Sequence, residues 1–200
     1  MEKIFTDIYK EKKWENNKDK NIIGTGSGPG STVEYNEKYI KILKKIINDY
    51  NINNIVDLGC GDFRIGKLLY DDINVTYTGY DTYKDIINYH KSQHSEPKYN
   101  FKHLDFFTYK ESIIEGDICI LKDVLQHWSL DEVYLFLDYL TESKKFKYIL
   151  IINCSYQKED NKKSSTGGFM PLSCNFFPLK KYNAVKISNF KTKEISIIKI

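Results

Sequence analysis

Hydrophobic positions change their period several times along the chain, and each change marks an element. Tyr39, Ile40, Ile42, Leu43, Ile46 and Ile47 recur at helical spacing, which predicts an amphipathic helix over roughly 33–50. Ile52 to Leu58 is a short apolar run ending at glycine, as in a parallel strand buried on both faces. A helix over 61–70 follows, with Ile65, Leu68 and Leu69 turned to the sheet, and then a β-branched and aromatic strand over 75–81. The alternation continues with a helix over 83–93 and strands over 99–104, 117–123 and 146–153. Ser129, with Glu132 three residues on, is a capping-box signature for the helix before the last of these strands. Residues 155–180 carry polar, Gly and Pro signals without a helical stripe, and two short runs near 183–189 and 194–200 read as a closing hairpin. The expected fold class is α/β: a seven-stranded, mostly parallel sheet flanked by helices, with an antiparallel C-terminal strand.

Composition narrows the function classes. With 200 residues, 41% hydrophobic and 14% aromatic, the chain is globular and fits a single domain. Thirty basic residues against 27 acidic give a net charge of only +3, so no nucleic-acid partner is expected from the overall field. No apolar run is long enough to span a membrane, and the N-terminal residues lack the order of a secretion signal. Cys60, Cys119, Cys154 and Cys174 are scattered without a CxxC pair, which favours a reduced, cytoplasmic protein. The abundance of Lys, Asn, Ile, Tyr and Phe is that of an AT-rich genome, bacterial or viral, and for a virus the compartment would be the host cytoplasm.

In an open parallel sheet, ligands bind beyond the carboxyl ends of the strands. The first strand ends in Val56-Asp57-Leu58-Gly59-Cys60-Gly61, where glycines let backbone approach a ligand and a helix N-terminus offers N–H groups. A dinucleotide site needs a third glycine where Arg64 stands, which argues against a nicotinamide-dependent oxidoreductase. Asp57 is available to balance an ammonium, so the pattern suits a phosphate-free ligand with a charged amino group, S-adenosylmethionine (SAM) or something like it. Asp81, twenty residues beyond Gly61, stands where such folds receive a ribose. Asp105 with Phe106 is placed to grip an adenine edge and face, or else is a turn acid. In the run Lys122-Asp123-Val124-Leu125-Gln126-His127-Trp128, Asp123 and Val124 are expected to line the cofactor pocket. His127 is the candidate general base, its alternative being a loop anchor. His90, His94 and His103 have no metal-like spacing, and no metal is expected. Gly24 to Thr32, with Pro29 among four nearby glycines, reads as a shaped lid or substrate-binding loop.

Asp57 to Gly61, Asp81, Asp105 and the strand-four run resemble the Rossmann-like class I SAM-dependent methyltransferases over about residues 50–155. A narrower likeness rests on Ser27-Gly28-Pro29-Gly30-Ser31, Cys60-Gly61-Asp62-Phe63 and Thr166-Gly167-Gly168-Phe169, with Pro171-Leu172 following. These resemble a small group of sugar O-methyltransferases associated with glycosyltransferases and surface-glycan synthesis. The resemblance implies SAM as cofactor and S-adenosylhomocysteine as product. It implies cofactor contacts at Ser31, Asp57, Gly59, Cys60, Gly61, Asp81, Thr82, Asp105, Phe106, Asp123 and Val124. It implies catalysis by His127, with Asp62 orienting it or the acceptor. The chain then divides into a lid and helix (1–50), a SAM-binding core (51–154), and an acceptor-side loop with the hairpin (155–200). The expected partner is a sugar or glycan, beside glycosyltransferases of the same pathway. The competing readings are methylation of another small molecule, a protein or RNA, and a non-catalytic SAM-binding subunit.

Overall fold

In the computed structural model, which describes residues 1–15 and 26–200, the strands form one seven-stranded sheet ordered β3-β2-β1-β4-β5-β7-β6. Gly24 and Thr25, the start of the predicted lid loop, lie outside the described residues. The strands are β1 (Asn54–Leu58), β2 (Thr76–Asp81), β3 (Tyr99–His103), β4 (Ile118–Lys122), β5 (Tyr148–Cys154), β6 (Val185–Phe190) and β7 (Lys193–Lys199). The helices are α1 (Glu2–Lys10), α2 (Val33–Asp49), α3 (Gly66–Tyr70), α4 (Lys84–Gln93) and α5 (Leu130–Ser143). β1 pairs with β2, β2 with β3, and β4 with β5 in parallel, while β7 runs antiparallel to both β5 and β6. The expected fold class and the closing hairpin are therefore present. The chain divides into two compact units, Met1–Ile113 and Ile114–Ile200.

In the first unit, α2 buries Tyr39, Leu43, Ile46 and Ile47, the stripe its periodicity predicts. Thr32 caps it by accepting from the Tyr35 N–H at 3.4 Å, and buried Asn36 donates to the Gly30 and Thr32 carbonyls at 2.9 and 2.7 Å. That pair of bonds ties the glycine-rich loop to the start of the helix.

The helix expected over 61–70 is shorter. It begins only at Gly66, because Gly61 (φ 55°) and Phe63 (φ 51°) are left-handed and cannot continue a right-handed turn. With so short a helix, Leu69 is buried but Leu68 is 49% exposed and does not face the sheet as expected. The Phe63 ring sits 4.9 to 5.5 Å from the rings of Tyr77, Tyr99 and Phe101. A Cβ on Gly66 would overlap this ring. Alanine at 66 gains about 1 kcal/mol of helix propensity, but forcing a buried aromatic aside costs about 1–3 kcal/mol. We therefore expect Gly66→Ala to lower the urea midpoint; a midpoint at or above that of the parent chain would show that the Phe63 cluster yields freely. The sequence pattern also missed α1, whose buried Ile8 and Tyr9 stand among charged residues.

In the second unit, β4 and β5 are apolar and buried at nearly every position. The Ser129 capping box forms: the Ser129 hydroxyl accepts from the Glu132 N–H, and the Glu132 carboxylate accepts from the Ser129 N–H at 2.8 Å. α5 then buries Val133, Phe136, Leu137 and Leu140 at helical spacing. Among the described residues, no helix is long and apolar enough to cross a membrane.

Candidate functional site

The glycine turn after β1 is held from three sides. The Gly59 and Cys60 N–H groups both donate to the Tyr80 carbonyl, at 2.8 and 3.0 Å, which fastens the turn to the end of β2. The Gly61 N–H donates to Asp81 Oδ2 at 3.0 Å, and Asp81 Oδ1 accepts from the Tyr83 N–H at 2.9 Å. Gly59 (φ 84°) and Gly61 take backbone angles that side chains disfavour, so the turn presents bare backbone where any other residue would strain it. From α4, buried His90 places Nε2 at 2.7 Å from the Gly61 carbonyl. Burial pushes His90 down to about 4, so it is neutral and donates through Nε2. No spacing rule singles out His90; its one signal is a polar residue on the buried face of a helix.

The candidate carboxylates of the first unit, Asp57, Asp81 and Asp105, are engaged. Asp57 accepts from the Tyr77 hydroxyl at 2.8 Å. Burial raises Asp81 against the opposing pull of the Tyr83, Gly61 and Thr82 amides. Burial also opposes ionisation of Asp105, but the Thr108 and Glu2 amides and the Thr108 hydroxyl outweigh it and hold Asp105 below the usual range. The bond between the Thr108 N–H and Asp105 Oδ1 is that of a turn acid, the alternative its sequence context allowed. Thr82 and Phe106 are buried, and burial holds the Cys60 thiol well above its ordinary range, so it is no thiolate.

The Gly26–Thr32 loop folds onto the same turn through Asp62. Asp62 Oδ2 accepts from the Ser31 hydroxyl at 3.0 Å and the Ser27 N–H at 3.3 Å, and Arg64 Nε lies 3.0 Å away. The Asp62 N–H donates back to Ser27 Oγ at 2.8 Å, and the Tyr9 hydroxyl is 2.9 Å from that oxygen. Burial raises Asp62 despite its Arg64 partner. Tyr9 stacks on Tyr83 at 4.8 Å, so α1 joins this cluster as well. Asp62 and Ser31, 31 positions apart in sequence, thus meet, and Ser27 and Tyr9, to which the sequence assigned no role, join them.

The second unit carries the remaining candidates. β4 ends at Lys122, and Asp123 follows in a left-handed conformation (φ 61°), an uncommon one for a side chain larger than glycine. Asp123 Oδ2 pairs with Lys122 at 2.8 Å, and Oδ1 accepts from Lys193 and from the Gln126 amide at 3.1 Å. Burial disfavours the Asp123 charge, but the two ammonium groups prevail and hold its pKa down. Lys193 is 4% exposed and was not foreseen, since it lies in the hairpin 70 residues further on. Gln126 also places Nε2 at 3.2 Å from His127 Nε2, while its carbonyl oxygen accepts from the Cys154 N–H at 2.9 Å. Val124 is half-buried beside these groups.

His127 is clasped by the Thr166–Met170 segment. Its Nδ1 lies 2.9 Å from the Gly168 carbonyl, its own carbonyl accepts from the Gly167 N–H at 2.8 Å, and the Met170 N–H donates to the Gln126 carbonyl at 2.8 Å. A carbonyl only accepts, so Nδ1 carries the proton, and the Nε2 lone pair accepts from the Gln126 amide at 3.2 Å. Burial depresses the His127 pKa against the opposing effects of Gly168 and Asp123, so the ring is neutral at pH 7. The chemistry available is that of a neutral imidazole base with a fixed tautomer. Among the described residues no cluster of His, Cys, Asp or Glu could hold a metal ion.

No protein-family model matches the sequence. No curated protein matches it either. Solved structures do match in fold. The methyltransferase domain of bacterial CtHen1-C superposes with a TM-score of 0.62 at 14% identity, covering 83% of this chain and 98% of that one. An O-methyltransferase family protein from Burkholderia thailandensis gives 0.61 at 11% identity, covering 82% of this chain and 55% of that one. PigF with SAH gives 0.63 at 10% identity, covering 81% and 61% respectively. With its seven-stranded sheet and its hairpin, the chain therefore has the fold of these methyltransferases.

Proposed function

We propose that this chain is a SAM-dependent O-methyltransferase acting on a sugar hydroxyl of a surface glycan or nucleotide-sugar precursor, with His127 as general base. The observation that carries this reading is the tautomer of His127: Nδ1–H is bound to Gly168, and the deprotonated Nε2 accepts from the Gln126 amide, the place an acceptor hydroxyl would take. The fold shared with methyltransferases, one of them solved with SAH, supports the choice of cofactor.

The residues present fit that cofactor. Gly59 and Gly61, on either side of Cys60, offer bare backbone, and Ser31 sits on the loop that folds onto this turn. Asp57, Asp81 and Asp105 supply three carboxylates for a ligand bearing an ammonium, a ribose diol and an exocyclic amine. Thr82, Phe106, Asp123 and Val124 complete the proposed lining. When bound, SAM would supply a methyl group already activated on sulfonium, with S-adenosylhomocysteine as the leaving product. The protein then has two tasks, alignment and proton removal. His127 Nε2 takes the acceptor's hydroxyl proton, and the Gly168 carbonyl stabilises the resulting imidazolium through Nδ1–H. Asp62 positions the glycine-rich loop and, through it, the acceptor.

The test is transfer of labelled methyl from SAM into separate pools of nucleotide sugars, glycans, RNA and protein. Label in a sugar pool supports the reading. Label confined to RNA or protein would remove the sugar and leave the methyltransferase. Binding of SAM with no label in any pool would point to a non-catalytic subunit.

A further inference from the structure

Two aromatic side chains, Phe169 beside His127 and Tyr156 beside Phe169, have no task in the proposed mechanism. Tyr156 is 59% exposed and Phe169 is 46% exposed, in a segment that is otherwise polar. Their rings are near-parallel, 23° apart, with centroids separated by 6.0 Å. That distance is too long for face-on stacking, so the rings are offset and together present a stepped apolar surface. The surface ends at the base: the Phe169 ring meets the His127 imidazole edge to face at 5.9 Å.

The platform is held in place before any ligand arrives. On one side of Phe169, Gly167 and Gly168 bond to His127; on the other, the Met170 N–H donates to Gln126 and the Leu172 N–H to the Cys154 carbonyl at 2.8 Å. Next to Tyr156, the Ser155 N–H donates to the Thr192 carbonyl at 3.0 Å. Backbone fixed in this way leaves little to order on binding, which favours affinity.

We propose that Tyr156 and Phe169 are the acceptor platform and take the flat C–H face of a pyranoside, so that one of its ring hydroxyls reaches His127 Nε2. The proposal rests on the reading of His127 as base and extends it to the shape of the acceptor. A pyranose with several axial C–H bonds on one face offers polarised hydrogens to the electron-rich faces of aromatic rings. Its hydroxyls point outward and need polar partners around the rim. In the stretch joining the two aromatics, Gln157, Asp160, Asn161, Ser164 and Thr166 bond within the protein, and the exposed Lys158, Lys162, Lys163 and Ser165 are the polar groups left for such a rim. A phenol would use the platform but leave that polar rim idle.

Saturation-transfer NMR with methyl glucopyranoside and methyl galactopyranoside tests the platform without any turnover. Irradiating aromatic protons should mark the C–H hydrogens of one sugar face, and the signal should vanish in Phe169→Ala and Tyr156→Ala but persist in Phe169→Trp. With the sugar acceptor in the labelling assay, each alanine variant should raise KM about tenfold, with kcat and SAM affinity little changed. No sugar contact in the parent chain, contact surviving both alanine variants, or a phenol that binds where pyranosides do not compete would overturn the platform. Failure of the His127 reading looks different: methyl transfer would survive His127→Ala while the NMR contacts stayed as they were.

Discussion

Replacing His127 with alanine is expected to lower kcat by about 10²–10⁴-fold, the usual contribution of a positioned base, while the Kd for SAM measured by calorimetry stays put. A sugar hydroxyl is a poor nucleophile until its proton leaves, and under the proposed function it takes the place of the Gln126 amide at His127 Nε2, which then removes that proton. The sign of the pH dependence follows from the same geometry. Burial lowers the His127 pKa from the ordinary value of 6.5, so the neutral, active form extends to more acidic solution than for an exposed histidine. The acid limb of kcat/KM should therefore lie below pH 6.5, and the alanine variant should lose that limb. Unchanged turnover in the variant would assign His127 to anchoring the Thr166–Met170 segment alone. A limb centred above 6.5 would mean that another group titrates.

Asp81→Ala should weaken SAM binding by about 10²–10⁴-fold if both ribose hydroxyls bond to the carboxylate, since hydrogen bonds to charged groups contribute about 1.5–3 kcal/mol each. The same change deprives the Gly61 and Tyr83 amides of their acceptor, and leaving buried donors unpaired costs about 1–3 kcal/mol each. Loss of binding must therefore be separated from loss of fold. Asp81→Asn keeps one acceptor oxygen but turns an NH₂ toward one of the two amides, and it should fall between parent and alanine in both SAM affinity and urea midpoint. Burial raises the Asp81 pKa, so the folded chain holds this proton more tightly than the unfolded one. The contribution of Asp81 to stability is thus greatest at low pH and falls as pH rises through its raised pKa. Ribose hydroxyls favour the ionised form, so SAM affinity should decline as the solution is acidified. Full SAM affinity in Asp81→Ala, with the fold intact, would remove Asp81 from the cofactor site.

Much of this architecture was legible in the order of residues because it is encoded over short distances. The strand runs, the α2 stripe and the Ser129–Glu132 capping box each depend on neighbours within a turn or two, where side-chain type and spacing decide the outcome. The glycine turn was legible for the same reason, but its continuation was not. A phenylalanine gives no hint that it will adopt a left-handed conformation, and Phe63 does so because its ring is drawn among Tyr77, Tyr99 and Phe101. Only that packing makes α3 start late.

The sequence by itself determined the sheet, the turn after β1, the acids near the ends of the first three strands and the histidine after the fourth. Tertiary structure decided what those groups touch. His90 supports Gly61 across 29 residues, Ser27 meets Asp62 across 35, Gly168 fixes the His127 tautomer across 41, and Lys193 reaches Asp123 across 70. None of these bonds has a local period. Each forms because the fold brings distant segments together, after which burial makes an unpartnered polar group costly enough to select its partner.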